Sequence, residues 1–249
     1  MKLPAFLLTL SVGVLLLIAS LELPEWGESN SPASSHVSPH YIEKSLEETS
    51  VPNLVTSVLA DYRGYDTLFE IIVIFCAGIT VLTVMRRTFI SKVKYSNPRP
   101  DREDSDIILQ SAARLLVPVM QVFALYVVAH GHHSPGGGFQ GGVILGASFI
   151  LLAVAYDLKT VFKYFNENSI LLLSVVGVLI YAGIGIACMF LGQNFLSYAA
   201  FAKLPGITEA EAHSHGMLGV EIGVAITVMA IMFSLYADLS SSGDLDEGL

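Results

Sequence analysis

Charge is scarce in this sequence. Of 249 residues, 13 are Lys or Arg and 22 are Asp or Glu, 14% together, against roughly 25% in soluble domains. With 53% hydrophobic residues and a mean hydropathy of +0.63, this shortage excludes an ordinary soluble domain. The formal net charge of −9 excludes a nucleic-acid binder, which needs a basic surface to meet phosphates. Cysteine is rarer still. Cys76 and Cys188 both lie in apolar runs, so they make neither a disulfide framework nor a metal knuckle. They read as buried apolar residues. No nucleophile stands beside a base, and no histidines face one another across apolar runs at the matching depth that haem needs. Nothing therefore points to hydrolysis, to a cofactor or to an enzyme. The one glycine-rich loop lacks a Gly-Lys-Ser/Thr ending, which excludes a phosphate loop.

Long apolar runs are what the sequence does contain. About 20 consecutive apolar residues cross a bilayer core. Six runs qualify: Leu3–Leu21, Thr67–Met85, Ile107–Ala129, Gln140–Asp157, Ser169–Leu191 and Gly216–Tyr236. They predict an all-α polytopic transmembrane helix bundle. The first run is longer than a signal-peptide core of roughly 7–15 residues and is expected to stay as an anchor. Positive charge sets orientation. With a cytoplasmic N-terminus, ten Lys and Arg residues fall on the inner side and only Lys44, Arg63 and Lys203 outside. Both termini are then cytoplasmic, in the inner (plasma) membrane of a cell. Residues 22–53, rich in Ser, Pro and Glu, read as a solvated outer loop. Asn53–Ala60 reads as a short interfacial helix. The charged loop Ser91–Asp106, with Pro98 and Pro100, reads as a linker between a two-span module (1–100) and a four-span module (101–249).

Ionisable groups inside a membrane cost roughly 2.5–3.5 kcal/mol each on insertion scales, so the few present stand out. Glu221 is the deepest, flanked by Gly219 and Gly223 in a small-xxx-small pattern that admits a close neighbouring helix. Two readings stand for it: an acid that exchanges a proton or holds a cation, or an interhelical hydrogen-bonding group. Asp66 and Glu70 are spaced i, i+4 and share a face. Asp66 suits a helix N-terminus, whereas Glu70 lies a turn deeper. Arg63 is placed to meet Asp66 or a lipid phosphate. Arg114 and Asp157 lie near the inner ends of adjacent spans, as an ion pair or with Arg114 snorkelling to the interface. Pro118 is expected to kink the third span.

The stretch from His130 to Gly142 is the most distinctive. Its glycines run on as Gly138, Gly142 and Gly146, a GxxxGxxxG packing stripe expected to serve as a subunit interface. Five of the seven histidines, His130, His132, His133, His213 and His215, fall at one outer face. A metal site, a proton relay with cation attraction, and plain interfacial histidines are the three readings. No ligand spacing supports the metal, and none is expected.

Ala113-Arg114-Leu115-Leu116-Val117-Pro118-Val119, with Ala124-Leu125-Tyr126 and His132-His133-Ser134-Pro135-Gly136-Gly137-Gly138-Phe139-Gln140-Gly141-Gly142, resembles the B subunit of Mrp-type multisubunit sodium/proton antiporters, the MnhB family. Gly219-Val220-Glu221-Ile222-Gly223-Val224 looks like that family's last span, with glutamate where aspartate is usual. The likeness covers about residues 105–238. Val58 to Glu70, through Asp61-Tyr62-Arg63-Gly64-Tyr65-Asp66-Thr67, is similar to the C-terminal region of the large A-type antiporter protein. It is similar also to a two-span subunit of energy-converting membrane-bound hydrogenases, with Phe69 where glycine is usual. The resemblance implies an A-like segment fused to a B-type one. It implies a noncatalytic part of a sodium/proton antiporter complex, beside large A/D-type channel subunits and small subunits in the lipid bilayer. Two alternatives are kept: the antiporter-like arm of a respiratory hydrogenase-type complex, or a purely structural scaffold. Arg63, Asp66, Glu70 and Glu221 are the implied ion-path candidates.

Overall fold

A computed structural model describes residues 2–89, 107–163, 165–203 and 205–241. The linker Ser91–Asp106, with its basic residues Lys92, Lys94, Arg99 and Arg102, lies outside the described residues. So does the acidic tail from residue 242 onward.

The chain divides into two compact units, Met1–Lys44 and Ser45–Leu249. The first holds α1 (Lys2–Ser20), apolar all round and exposed along almost its whole length, as a lipid-facing helix should be. Beyond it the expected loop is partly helical. A π-helical turn (Ala33–Val37) runs into α2 (Ser38–Thr49). This corrects the solvated-loop expectation for 22–53. The Ser, Pro and Glu content suggests a solvated loop, but α2 is amphipathic enough to fold, and at its end Thr49 and then Val51 are buried.

The second unit is a helix bundle. α3 (Leu54–Ser57) and a π-helical turn (Val58–Tyr62) form the expected short helix, which leads into α4 (Gly64–Phe89). Then come α5 (Ile107–Ala129), α6 (Gly138–Tyr156), the one-turn α7 (Leu158–Phe162), α8 (Glu167–Phe190), a 3₁₀ segment (Tyr198–Lys203) and α9 (Glu209–Ser240). Among the described residues there is no strand. Among the described residues, six helices are long and apolar enough to cross a membrane, as the sequence predicts. The chain is a multi-pass membrane protein.

α9 is the axis of this unit. Its apolar window is 61% buried, against 17–39% for α4, α5, α6 and α8. It packs on α4, α6, α8 and the 3₁₀ segment. Its 32 residues exceed the expected span because a capping box, Thr208 with Glu211, starts the helix early. Small residues let the helices close. α8 and α9 cross at Gly177 and Gly223, where an added Cβ on either would lie 2.4–2.7 Å from the other's carbonyl oxygen. Gly219 meets Ile184 of α8. The stripe Gly138, Gly142 and Gly146 presses on the α9 backbone at Glu221, Ala225 and Met229. This corrects the subunit-interface expectation. The groove is filled from within the chain, because glycines without side chains let the α9 backbone itself occupy it.

Arg114 is exposed, and among the described residues no ion pair joins it to Asp157. Asp157 instead occupies the break between α6 and α7, with φ +78°. Asp238, in the last turn of α9, is 1% exposed.

Candidate functional site

The site forms where the π-helical turn, α4, the 130–137 loop, the start of α6 and the middle of α9 meet. Backbone geometry explains why they meet. Gly137 has φ +117°, a conformation that favours glycine. A Cβ on Gly138 would lie 2.0 Å from the Glu221 carbonyl oxygen. The Pro-Gly-Gly-Gly-Phe stretch therefore lets the N-terminus of α6 press directly on α9 beside Glu221.

Asn53 pins the loop. It caps α3, its side chain accepting from Val55 N (3.1 Å). Its amide donates to the carbonyls of Gly131 (2.7 Å) and Ser134 (2.9 Å). Its backbone N–H donates to His132 O (3.0 Å). Thr56 Oγ1 adds a bond to Gly131 O (2.7 Å). Two tyrosines hold the neighbouring turn. The hydroxyls of Tyr198 and Tyr181 donate to Ala60 O and Gly64 O, both at 2.8 Å. A buried phenol needs such a partner. Burial, followed by Tyr181, Asp61 and Cys188, pushes the Tyr198 phenol upward, so it stays a neutral donor.

The acids separate by environment. Arg63 pairs with Asp66, Nη2 at 2.5 Å and Nε at 2.6 Å from Oδ2. Both side chains are more than half exposed, and Asp66 sits in the first turn of α4. Glu70 and Glu221 come together. They line one cleft of about 170 Å3 with Thr56, Thr67, Tyr181, Gln140 and Gly136 to Gly138. Glu70, Phe139 and Gln140 are exposed at its rim, while Glu221 is buried.

The histidines do not act as one cluster. His213 Nδ1 lies 2.5 Å from Asp61 Oδ2, with the edge of the Tyr198 ring against it. His130 stacks on Tyr126 at the surface. His133 and His215 are exposed. His132 is buried, its Nε2 4.0 Å from Glu221 Oε2 and its Nδ1 3.3 Å from Ser214 Oγ. Burial, then the charges of His133 and His215, holds His132 below its ordinary pKa. Among the described residues no three His, Cys, Asp or Glu side chains converge as metal ligands.

Sequence reasoning missed Asn53, Tyr181, Tyr198 and the Asp61–His213 pair as site residues. Asn53 ahead of an apolar run carries an N-cap signal, and a lone tyrosine inside a span signals a buried hydroxyl partner. Nothing local joins Asp61 to His213.

Two family models match this chain. A domain related to the MnhB subunit of Na+/H+ antiporter matches residues 108–234. The MbhE model, for the E-type subunit of MBH, matches residues 6–101. The B-type Na+/H+ antiporter subunit of Bacillus subtilis is 34% identical over 52% of this chain and 94% of its own length. A probable K+/H+ antiporter protein of the combined A/B type from Rhizobium meliloti is 25% identical over 80% of this chain but only 22% of its own length. Two solved structures are similar, each at TM-score 0.59 and 25% identity. One is a chain of an archaeal respiratory membrane complex, the membrane-bound sulfane sulfur reductase, covering 93% of this chain and 97% of that one. The other is a chain of the Mrp complex from Dietzia, covering 94% of this chain and 26% of that one.

Proposed function

The chain belongs to the family of domains related to the MnhB subunit of Na+/H+ antiporters, and from that premise we propose that it lines the outer end of a monovalent cation/proton path. It is a B-type subunit that works beside other antiporter subunits. In this reading it performs no catalysis. Residues 1–100 act as an A-like segment fused to the B-like module 101–249, with both termini cytoplasmic. The match of residues 6–101 to the MbhE model and the A/B-type relative support the fusion.

One observation carries the path. Glu70 and Glu221 belong to different modules of the sequence, yet they line one cleft. Two carboxylates in an otherwise apolar bundle are costly, and sharing water in one cleft lowers that cost. Glu70 at the rim takes the ion from a partner chain, and Glu221 holds it deeper. The exposed Arg63–Asp66 pair, one turn before Glu70, tunes entry by its charges.

The experiment is cation-driven proton exchange in vesicles carrying the whole complex, with Glu221→Gln and Glu70→Gln. Each should lower the exchange rate at least about tenfold while all subunits still co-purify. Unchanged exchange with assembly intact removes the acids from the path and leaves a structural scaffold. The similarity to nearly the whole of a chain from a respiratory membrane complex favours a second reading. There the same cleft would serve an antiporter-like arm coupled to a redox unit, and co-purifying subunits separate the two.

A further inference from the structure

Among the described residues, two buried side-chain polar atoms have no hydrogen-bond partner, His132 Nε2 and Glu221 Oε2. They face each other at 4.0 Å, and each side chain is 10% exposed. Unpartnered buried polar atoms are rare. Two that face each other invite one explanation, because a single proton between them satisfies both. On Glu221 it makes an O–H aimed at the imidazole. On His132 it makes an N–H aimed at a carboxylate.

The surroundings hold His132 for this role. Ser214 occupies its other ring nitrogen. With Nδ1 donating to Ser214 Oγ, Nε2 keeps a lone pair toward Glu221. The backbone around the ring is tied down by Asn53 and Thr56, which take up the carbonyls of Gly131, His132 and Ser134. Glu221 has freedom on its other side, where the cleft begins. A hydrogen bond needs about 2.7–3.0 Å, so a side-chain swing of about 1 Å closes the gap.

We infer that His132 is the proton partner of Glu221, taking a proton from Oε2 onto Nε2 and returning it, so that the 130–134 loop links the cleft to the loop end of the bundle. The step breaks one O–H bond and forms one N–H bond. It converts a carboxylic acid and a neutral imidazole into a carboxylate and an imidazolium, with no redox change. The inference rests on Glu221 being the deep acid of the path. Other groups face the pair from every side: His133 in the same loop, Ser214 and His215 of α9, Thr56 of α3, Glu70 of α4 and Tyr181 of α8. Burial disfavours the imidazolium, and the carboxylate left 4.0 Å away favours it, so the proton is shared between the two groups.

The test is infrared titration of the assembled complex in membranes. The protonated carboxyl band of Glu221 is identified by its loss in Glu221→Gln. In His132→Gln the band should persist to a pH at least about one unit higher, a tenfold change in proton affinity, because the imidazolium no longer stabilises the carboxylate. Ser214→Ala keeps the imidazole and should move the band less. An unmoved band in an assembled His132→Gln complex overturns the couple. Should that variant fail to assemble, nitrogen-15 titration of His132 in the wild-type and Glu221→Gln complexes decides. A midpoint at least tenfold more acidic in Glu221→Gln supports the couple, and equal midpoints overturn it. If Glu221→Gln abolishes exchange while the His132→Gln band is unmoved, the path stands and the couple falls. A shifted band with normal exchange in Glu221→Gln gives the reverse.

Discussion

The glycine stripe of α6 offers a graded steric experiment. A Cβ added at Gly138 would lie 2.0 Å from the Glu221 carbonyl oxygen, at Gly142 2.7 Å from that of Ala225, and at Gly146 3.3 Å from that of Met229. Ordinary contact begins at 3.4 Å. Gly138→Ala must therefore find 3.4 − 2.0 = 1.4 Å, Gly142→Ala 0.7 Å and Gly146→Ala 0.1 Å. The obstacle is backbone in each case, so no rotamer change relieves it. Overpacking costs roughly 1–3 kcal/mol, against a helix-propensity gain of at most about 1 kcal/mol. Gly138→Ala should lose about 3 kcal/mol, Gly142→Ala about 1–2 kcal/mol, and Gly146→Ala should be close to neutral. Gly183→Ala of α8 is the control, since nothing lies within 4 Å of its Cβ. Cys188 is fully buried, so a thiol-reactive dye in a Cys76→Ser background reports unfolding. At about 2–4 °C per kcal/mol for a chain of this size, Gly138→Ala should melt roughly 6–12 °C lower. Gly138→Ala melting with the control, or a reversed order along the stripe, would refute the view that α6 is pressed against α9 through these glycines.

Other outcomes follow from the same contacts. Asn53→Ala removes a helix cap, leaves the Ser134 carbonyl without this donor and takes one of two donors from the Gly131 carbonyl. It should cost about 2–4 kcal/mol, and hydrogen exchange over residues 130–137 should accelerate. Asp61→Asn and His213→Gln each break the 2.5 Å pair. Each should cost about 1–3 kcal/mol, and the double variant should fall short of the sum; an additive double mutant would argue against the pair. His132 is held below its ordinary value of 6.5, so the closed loop binds fewer protons than the open one. Its stability is complete above pH 6.5 and declines as pH falls through that value. Protection factors at 130–137, taken relative to the intrinsic exchange rate at each pH, should therefore fall on acidification in the wild type and stay level in His132→Gln.

Much of the fold was legible in the sequence. Apolar length alone located all six membrane helices, because a bilayer admits few ways to satisfy a backbone. Asn53–Ala60 was readable as a short helix, and Gly138, Gly142 and Gly146 as a packing face, because both patterns are local. Glu70 and Glu221 stood out for the cost of a carboxylate among apolar residues. What fills the stripe was not legible, since a GxxxG face fits a helix of the same chain as well as one from a neighbour.

Tertiary structure decided the rest. It set His132 apart from His130 and His133, three near-adjacent residues that composition treats alike. One is buried against Glu221, one stacks on Tyr126 and one is exposed. It joined Asp61 to His213 and left Arg114 exposed. Membrane burial and helix period are properties of neighbouring residues, and the sequence determines them by itself. The partner of a polar side chain depends on which helices cross and at what height. In this chain glycine-to-backbone contacts along α9 set those heights, and only the assembled bundle contains them.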